Sequence, residues 1–282
     1  MKIHAPAKIN LVLDVIGKRS DGYHNVKMIM QSLELGDVVT VEAQAADKTE
    51  IIINSNSAVV PCNESNIAYK AAMAILDDAN MRCNVHIDIQ KNIPICAGLA
   101  GGSTNGAAVL IALNSILGLD YSKEKLMNLG AKIGADVPFC IMQGTALAQG
   151  TGTELSAIAS YGKHTVLLVK PDIDVSTPWV YKNLKLNTVT HPDVDSFIDC
   201  IKHGEYAQSY KHMGNVLETV TVEEYPIIDK IKKRMMDCGA RVSMMSGSGP
   251  TVFGIFDSIE AANQAAEIFK KEFKQVIVTK TV

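Results

Sequence analysis

The feature that most constrains this chain is the stretch 92–108, NIPICAGLAGGSTNGAA, in which a short turn holding Gly98, Gly101, Gly102, Ser103 and Thr104 runs directly into an apolar helical segment over 107–117. Glycines let a backbone approach an anion closely. The unpaired N–H groups and the positive dipole end of a helix start then point at it. The pattern therefore predicts a nucleotide-phosphate site. A plain helix cap by Ser103 or Thr104 is the simpler alternative, but a cap needs one such residue and no glycine cluster before it. Two better-known phosphate loops are absent: no Gly precedes Lys-Ser or Lys-Thr, and the Gly98 cluster lacks the G-x-G-x-x-G spacing. Neither HRD nor DFG occurs, so a protein-kinase fold has no support.

With 282 residues, 47% hydrophobic and 20% charged, the chain has enough apolar material for one large core or two ordinary ones. The start, MKIHAPAKIN, lacks the apolar core of a signal peptide. The greasiest segment, 107–119, is interrupted by Asn114 and Ser115 and is too short to span a bilayer. A soluble, cytoplasmic protein without membrane partners is expected. Cysteines at 62, 83, 96, 140, 200 and 238 form no C-x-x-C pair, which argues against a zinc site or disulfide framework and predicts reduced core thiols. A net charge of −3 argues against a nucleic-acid partner. Charge is instead local: in residues 1–27, Lys2, Lys8, Lys18, Arg19 and Lys27 face only Asp14 and Asp21.

Alternation and apolar runs predict strands over 3–15, 25–35, 38–43, 50–54 and 83–89, with helices over 64–76, 103–117 and 122–133, the last capped by Ser122. Beyond Gly152 the expected order is strand 164–169, helices near Trp179 and over 195–201 and 227–238, strands 241–245 and 251–256, helix 259–269 and strand 275–280. This is an α+β pattern.

Four further segments carry possible chemistry. Asp136 follows a helix in GADVPF, where Gly134 ends the helix and Pro138 opposes its continuation, so the turn either aims a carboxylate into a cleft or makes an N-cap. Lys8 interrupts an otherwise buried alternating strand, where a charge is costly unless paired, and Asp136 is the expected partner. Asn10, Tyr23 and His24 read on their own as a strand amide and a hairpin end. Residues 246–250, SGSGP, form a second glycine turn between strands, whose bland reading is a tight hairpin.

Three separated motifs resemble the GHMP kinases: APAKINLVLDVIGKRSDGYH at 5–24, PICAGLAGGST at 94–104 and SGSGPTVF at 246–253, with GADVPF at 134–139 between the last two. The resemblance spans the chain in order. It implies a two-lobed α+β fold: a ribosomal-protein-S5-like N-terminal domain over 1–155 that binds nucleotide, and a ferredoxin-like C-terminal domain over 156–282. The K-R-x-D-G-Y-H element narrows it to a branch that phosphorylates a cytidine diphosphate alcohol with ATP. By resemblance Asp136 is the catalytic base and Lys8 the catalytic lysine, holding Asp136 ionised. Pro94, Ile95, Cys96, Ala97, Gly98, Leu99, Ala100, Gly101, Gly102, Ser103 and Thr104 form the ATP loop. Asn10, Tyr23, His24 and Tyr181 receive the acceptor, with Tyr23 and Tyr181 sandwiching the cytosine and His24 bonding its polar edge. Gly247, Ser248 and Gly249 close on the substrate. Phosphoryl-transfer chemistry implies Mg2+, held mainly by ATP phosphates with Ser103 as protein ligand.

Two departures stand out. Cys96 and Ala100 replace frequent glycines, and Asn105-Gly106 replaces the commoner Asp-Ala. A kinase of the same family acting on mevalonate, homoserine or a sugar would not need the Tyr23, His24 and Tyr181 set. A non-catalytic member would be expected to lose Lys8 or Asp136. Both a monomer and a homodimer are compatible with the sequence.

Overall fold

A computed structural model describes residues 1–282. The chain begins with strands β1 (Lys2–Lys18), β2 (His24–Ala45) and β3 (Glu50–Ser55), helix α1 (Ile67–Asp78) and strand β4 (Cys83–Gln90). Helices α2 (Gly101–Ile116), α3 (Lys123–Ala131) and α4 (Val137–Met142) follow, then strands β5 (Thr145–Gln149), β6 (Glu154–Ala157) and β7 (Thr165–Lys170). Next come α5 (Thr177–Asn183), α6 (Val194–Lys202), α7 (Tyr206–Ser209), a 3-10 turn at Tyr210–His212 and the short strand β8 (Gly214–Asn215). The chain ends with α8 (Glu218–Glu224), α9 (Ile227–Asp237), β9 (Val242–Met245), β10 (Val252–Phe256), α10 (Ile259–Phe269) and β11 (Gln275–Lys280).

Two compact units result, neither continuous in sequence. The first comprises Met1–Ala7, Leu35–Ile93 and Ala100–Gln143; the second comprises Lys8–Glu34, Pro94–Leu99 and Gly144–Val282.

In the first unit the later half of β2 pairs antiparallel with β4, from Val38↔Gln90 to Ala45↔Cys83, and β3 lies parallel to β4. Parallel neighbours need a crossover, and α1 supplies it. β4 alternates strictly, burying Cys83, Val85, Ile87 and Ile89 while His86, Asp88 and Gln90 face water, as a sheet covered on one side requires. Its apolar face packs with Val39, Val41, Ala68, Ala72 and Ile75, and with α2 residues Ala108, Val109, Ala112 and Leu113. Gly106 sets the spacing of α1 and α2, because a Cβ there would lie 2.7 Å from Ile67 Cγ2.

In the second unit β7 is buried throughout and sits inside an antiparallel sheet ordered β11-β7-β10-β9. With α9 before β9 and α10 between β10 and β11, this is the split β-α-β-β-α-β arrangement expected of a ferredoxin-like domain. α9 buries Ile228, Ile231 and Met235, spaced for one helix face. Ser258 caps α10 by accepting from Ala261 N at 3.1 Å. The earlier half of β2 pairs with β5, which folds back on β6, while Val12 and Leu13 of β1 pair in parallel with β8.

Several sequence expectations need correction. The strands expected at 25–35 and 38–43 are one strand, because Gly36-Asp37 stays extended and Asp37 finds buried partners described below. The run from Ala5 to Val15 is buried continuously and does not alternate, so both of its faces are covered. The thiols are not uniformly in the core: Cys83 and Cys140 are buried, whereas Cys62 and Cys96 are exposed. The short elements α4, β5, β6, α7, β8 and α8 escape a periodicity reading because each spans at most two helical turns or five strand residues. Ser122 caps α3 as expected, accepting from Lys125 N at 3.2 Å. No helix is long and apolar enough to cross a membrane.

Candidate active site

In the first unit the start of α2 takes an unusual form. Ala100, its N-cap, is left-handed at φ +57°, and no side chain caps the helix. The helix begins at Gly101, so Ser103 and Thr104 lie within its first turn and neither serves as the plain cap. An uncapped, glycine-rich helix start of sixteen residues is a place where backbone N–H groups and the helix dipole favour an anion. Gly102 is exposed, Gly101 and Ser103 are half-buried, and Thr104 is buried with no partner for its hydroxyl.

The GADVPF turn comes close to this helix start, since a Cβ on Gly134 would lie 3.9 Å from Ser103 Oγ. Asp136 is half-buried at the N-cap of α4, with Pro138 in the first turn. Its side chain makes no capping bond, which removes the simplest structural reason for an Asp here.

In the second unit a second set of residues gathers on β1. Lys8 is 5% and Asn10 1% exposed, and Lys8 Nζ donates to Asn10 Oδ1 at 2.8 Å. Asn10 Nδ2 in turn donates to Met28 Sδ at 3.3 Å. A Cβ on Gly247 would lie 3.6 Å from both Lys8 Nζ and Asn10 Oδ1, so the 246–249 turn faces this ammonium–amide pair.

The same turn grips the 94–99 loop at Gly98. Ser246 Oγ donates to Gly98 O at 3.0 Å, and Leu99 O accepts from Lys8 N at 3.2 Å. Gly98 has φ +73°, and a Cβ there would sit 2.3 Å from Ser246 O, so only glycine fits. Of the other loop residues in this unit, Ala97 and Leu99 are buried, Pro94 and Ile95 are half-buried, and Cys96 is exposed with φ +52°.

The 246–249 turn is more than a tight hairpin between β9 and β10. Asn215 Nδ2 donates to both Met245 O and Gly247 O, at 2.9 and 2.8 Å, while its Oδ1 accepts from Leu217 N at 3.0 Å. Glu218 Oε1 accepts from Met245 N at 2.6 Å, and Thr221 Oγ1 reaches Ser248 O at 3.3 Å. Burial pushes the Glu218 carboxyl upward in pKa, while the ion-paired Lys232 opposes that shift. Thr177 Oγ1 and Ser248 Oγ share a hydrogen bond of 2.7 Å that ties the start of α5 to this turn.

α5 also brings Tyr181 to the hairpin end. The rings of His24 and Tyr181 are 5.3 Å apart at 38°. Burial first, and the charge of Lys18 second, lower the His24 pKa below its usual value. His24 is therefore neutral at pH 7, with one ring nitrogen to donate and one to accept. Tyr23 is 67% exposed, and its backbone N–H is held by Asp21 Oδ1 at 3.0 Å.

The supporting residues Asn215, Glu218 and Thr177 escaped the sequence reading, as did Asp37 and Lys91. Asp37 alone left a trace, as a charge inside the apolar run LELGDVVTV. The Asn105 departure has a physical reason. Asn105 Nδ2 donates to Asp37 Oδ2 at 2.8 Å, a bond that a carboxylate at 105 would replace with repulsion.

Residues 66–144 match the GHMP kinases N terminal domain and residues 197–275 match the GHMP kinases C terminal domain. A 4-diphosphocytidyl-2-C-methyl-D-erythritol kinase of Clostridium novyi (strain NT) is 44% identical over 283 residues, with all of both chains covered. A protein of the same name from Acetivibrio thermocellus is 46% identical, covering all of this chain and 99% of the relative. The crystal structure of a 4-(cytidine 5'-diphospho)-2C-methyl-D-erythritol kinase superposes with a TM-score of 0.85 at 29% identity, covering 100% of this chain and 99% of that one.

Proposed function

The chain belongs to the GHMP kinase family, and from that premise we propose that it transfers the terminal phosphoryl group of ATP to the 2-hydroxyl of 4-diphosphocytidyl-2-C-methyl-D-erythritol, a step in non-mevalonate isoprenoid precursor synthesis. The likeness to relatives of that name runs the full length of the chain. The structural observation that carries the reading is the buried Lys8 ammonium facing the glycine turn of residues 246–249. A buried cation beside backbone turns that favour anions serves a reaction whose substrates are polyphosphates.

In this mechanism the uncapped start of α2 cradles ATP phosphates with its first-turn amides, and residues 94–104 bring the backbone close. Lys8 neutralises charge that builds on the transferring group. Asn10, bonded to Lys8, fixes the direction of the ammonium. Asp136 accepts the proton of the acceptor hydroxyl. A carboxylate is too weak a base to take that proton in the ground state, so transfer occurs late, as the new O–P bond forms. The cytosine stacks on Tyr23 and Tyr181, with neutral His24 at its polar edge. Gly247, Ser248 and Gly249 close on the substrate.

Magnesium fits this residue set in a limited way. No cluster of three or more His, Cys, Asp or Glu residues is placed to hold a metal ion, while the half-buried Ser103 hydroxyl lies in the first turn of α2. Mg2+ would take Ser103 as its one protein ligand and the ATP phosphates and water for the rest; when bound, it neutralises phosphate charge.

The same reading assigns nucleotide binding and catalysis to residues 1–155 and a contribution to the substrate site to 156–282. It places the enzyme in the cytoplasm as a monomer or homodimer acting on small molecules, with neither nucleic acid nor membrane as partner. The test is a panel of acceptors with ATP, scored by ADP release. The cytidyl alcohol should exceed mevalonate, homoserine and galactose in kcat/KM by orders of magnitude, because a site built to hydrogen-bond a base rejects ligands that leave those groups unpaired. Equal turnover of any of the three refutes the assignment.

A further inference from the structure

Asp37 is fully buried in β2 and has no role in the chemistry above. Four donors converge on it. Its Oδ1 accepts from Asn92 N at 2.7 Å and Ile93 N at 2.8 Å; its Oδ2 accepts from Asn105 Nδ2 at 2.8 Å and from the Lys91 ammonium. Lys91 Nζ also donates to Asn105 Oδ1 at 3.1 Å. A Cβ on Gly101 would lie 3.1 Å from that ammonium and 3.3 Å from Ile93 Cγ2.

These partners are the two feet of the nucleotide loop. Asn92 and Ile93 immediately precede residues 94–99, and Gly101 and Asn105 open α2 after them. The two buried charges cancel locally, which leaves attraction of an anion to the helix start itself. The hydrogen bonds are also fully matched: both carboxylate oxygens are used twice, and both ends of the Asn105 amide are engaged. A matched network of this kind fixes one geometry, because any other leaves a buried charge or amide unpaired.

We propose that Asp37 is a positioning residue for nucleotide binding, clamping both ends of the phosphate loop through Asn92, Ile93, Lys91 and Asn105. The proposal rests on residues 94–104 being the ATP loop. It assigns Lys91 to the clamp, with its charge spent on Asp37 and not on the nucleotide.

The geometry suggests a rescue that a merely structural role would not require to act on ATP. In the double variant D37N/N105D the carboxylate moves across one hydrogen bond. The amide oxygen then at position 37 still accepts from the Asn92 and Ile93 backbone N–H groups, and the amide nitrogen donates to the carboxylate now at position 105. That carboxylate also takes the Lys91 ammonium. Each single change breaks the match: Asp37→Asn leaves Lys91 without a carboxylate, and Asn105→Asp sets two carboxylates face to face.

Steady-state kinetics on the full chain, with melting temperatures alongside, test the proposal. Each single variant should raise KM for ATP by about 10- to 100-fold while KM for the cytidyl alcohol stays within about twofold, and D37N/N105D should return KM for ATP to within a few-fold of wild type. If Asp37→Asn does not fold, Asn105→Asp against the double variant decides by the same rescue. The clamp is overturned if the single variants lower the melting temperature but leave KM for ATP unchanged, or if the double variant is no better than the worse single one. A separate readout checks the loop itself: ATP should slow alkylation of the exposed Cys96 in the wild-type protein, followed by peptide mass spectrometry. Absence of protection removes the loop reading and the clamp together, whereas protection with unaltered KM in the variants removes the clamp alone.

Discussion

Replacing Gly98 with Ala tests the junction on which the 94–99 loop and the 246–249 turn meet, and its cost can be worked out in parts. A non-glycine residue held at φ +73° costs about 1–2 kcal/mol. The new Cβ would begin 2.3 Å from Ser246 O and 3.0 Å from Gly249 O, both backbone atoms that no rotamer change can move. Forcing them apart is an overpacking change of about 1–3 kcal/mol, and losing the Ser246 Oγ to Gly98 O bond adds about 1 kcal/mol. The sum is about 3–6 kcal/mol, or a fall in Tm on the order of 6–24 °C at 2–4 °C per kcal/mol for a domain of 150–250 residues. Gly118→Ala is the matched control, because Gly118 has φ +59° but no atom within 4 Å of its Cβ position. It should show only the conformational part, about 1–2 kcal/mol. Thermal unfolding by circular dichroism reads both, and kinetics should show a raised KM for ATP in Gly98→Ala alone. Equal losses of Tm in the two variants would refute the argument that contact with the Ser246 turn, and not backbone conformation, makes Gly98 obligatory.

The remaining predictions concern the reacting groups. Asp136→Asn should lower kcat by roughly 10²- to 10⁴-fold with KM for ATP nearly unchanged, since proton acceptance acts in the transition state; retention of kcat within a few-fold would make Asp136 structural. Tyr181→Ala should raise KM for the cytidyl substrate by about 5- to 150-fold, the equivalent of 1–3 kcal/mol of base stacking, and leave ATP kinetics alone. An unchanged KM with a lowered Tm would instead make the ring packing for α5. For His24, whose folded pKa lies below 6.5, the imidazole is neutral above that range and gains a proton as pH falls through the lowered value. Its contribution to stability is thus complete above 6.5 and lost on acidification. kcat/KM for the cytidyl substrate should be flat from pH 7 to 8 and decline on the acid side at a midpoint below 6.5, and His24→Gln should abolish that limb. A midpoint above 6.5 would mean that a different group governs recognition.

The sequence displayed the residues that break local rules. Lys8 stands in a strand that is buried on both faces, Gly98 and Gly101 interrupt the approach to an apolar helix, and Gly247 and Gly249 lie between the strands VSMM and VFGIF. Each is anomalous for its element, and the proposed function gives each anomaly a reason. α10 is readable to the residue because its burial period is undisturbed from end to end. Residues 38–43 were split from the preceding strand for the opposite reason: Gly36-Asp37 resembles a turn until its buried partners are known, and those partners lie 54–68 positions away in sequence.

Supporting residues stayed hidden because they obey their surroundings. Asn215 in a short Gly-Asn step resembles any loop amide, and only the fold shows that its one side chain satisfies the carbonyls of Met245 and Gly247 while accepting from Leu217 N just before α8. Glu218 resembles an exposed helix carboxylate, yet it is mostly buried and holds the amide at the end of β9. Both act on the turn through backbone atoms, and a backbone atom carries no residue type for a motif to record. Glycine turns make this inevitable: with no side chains of their own, they can be held only by side chains elsewhere that bond their carbonyls and amides. The cost of freeing such a turn therefore falls on residues outside every motif. Asn215→Ala, which leaves Met245 O and Gly247 O without that donor, should on this reasoning disturb the Gly247–Gly249 turn more than any substitution on the exposed face of α8 does.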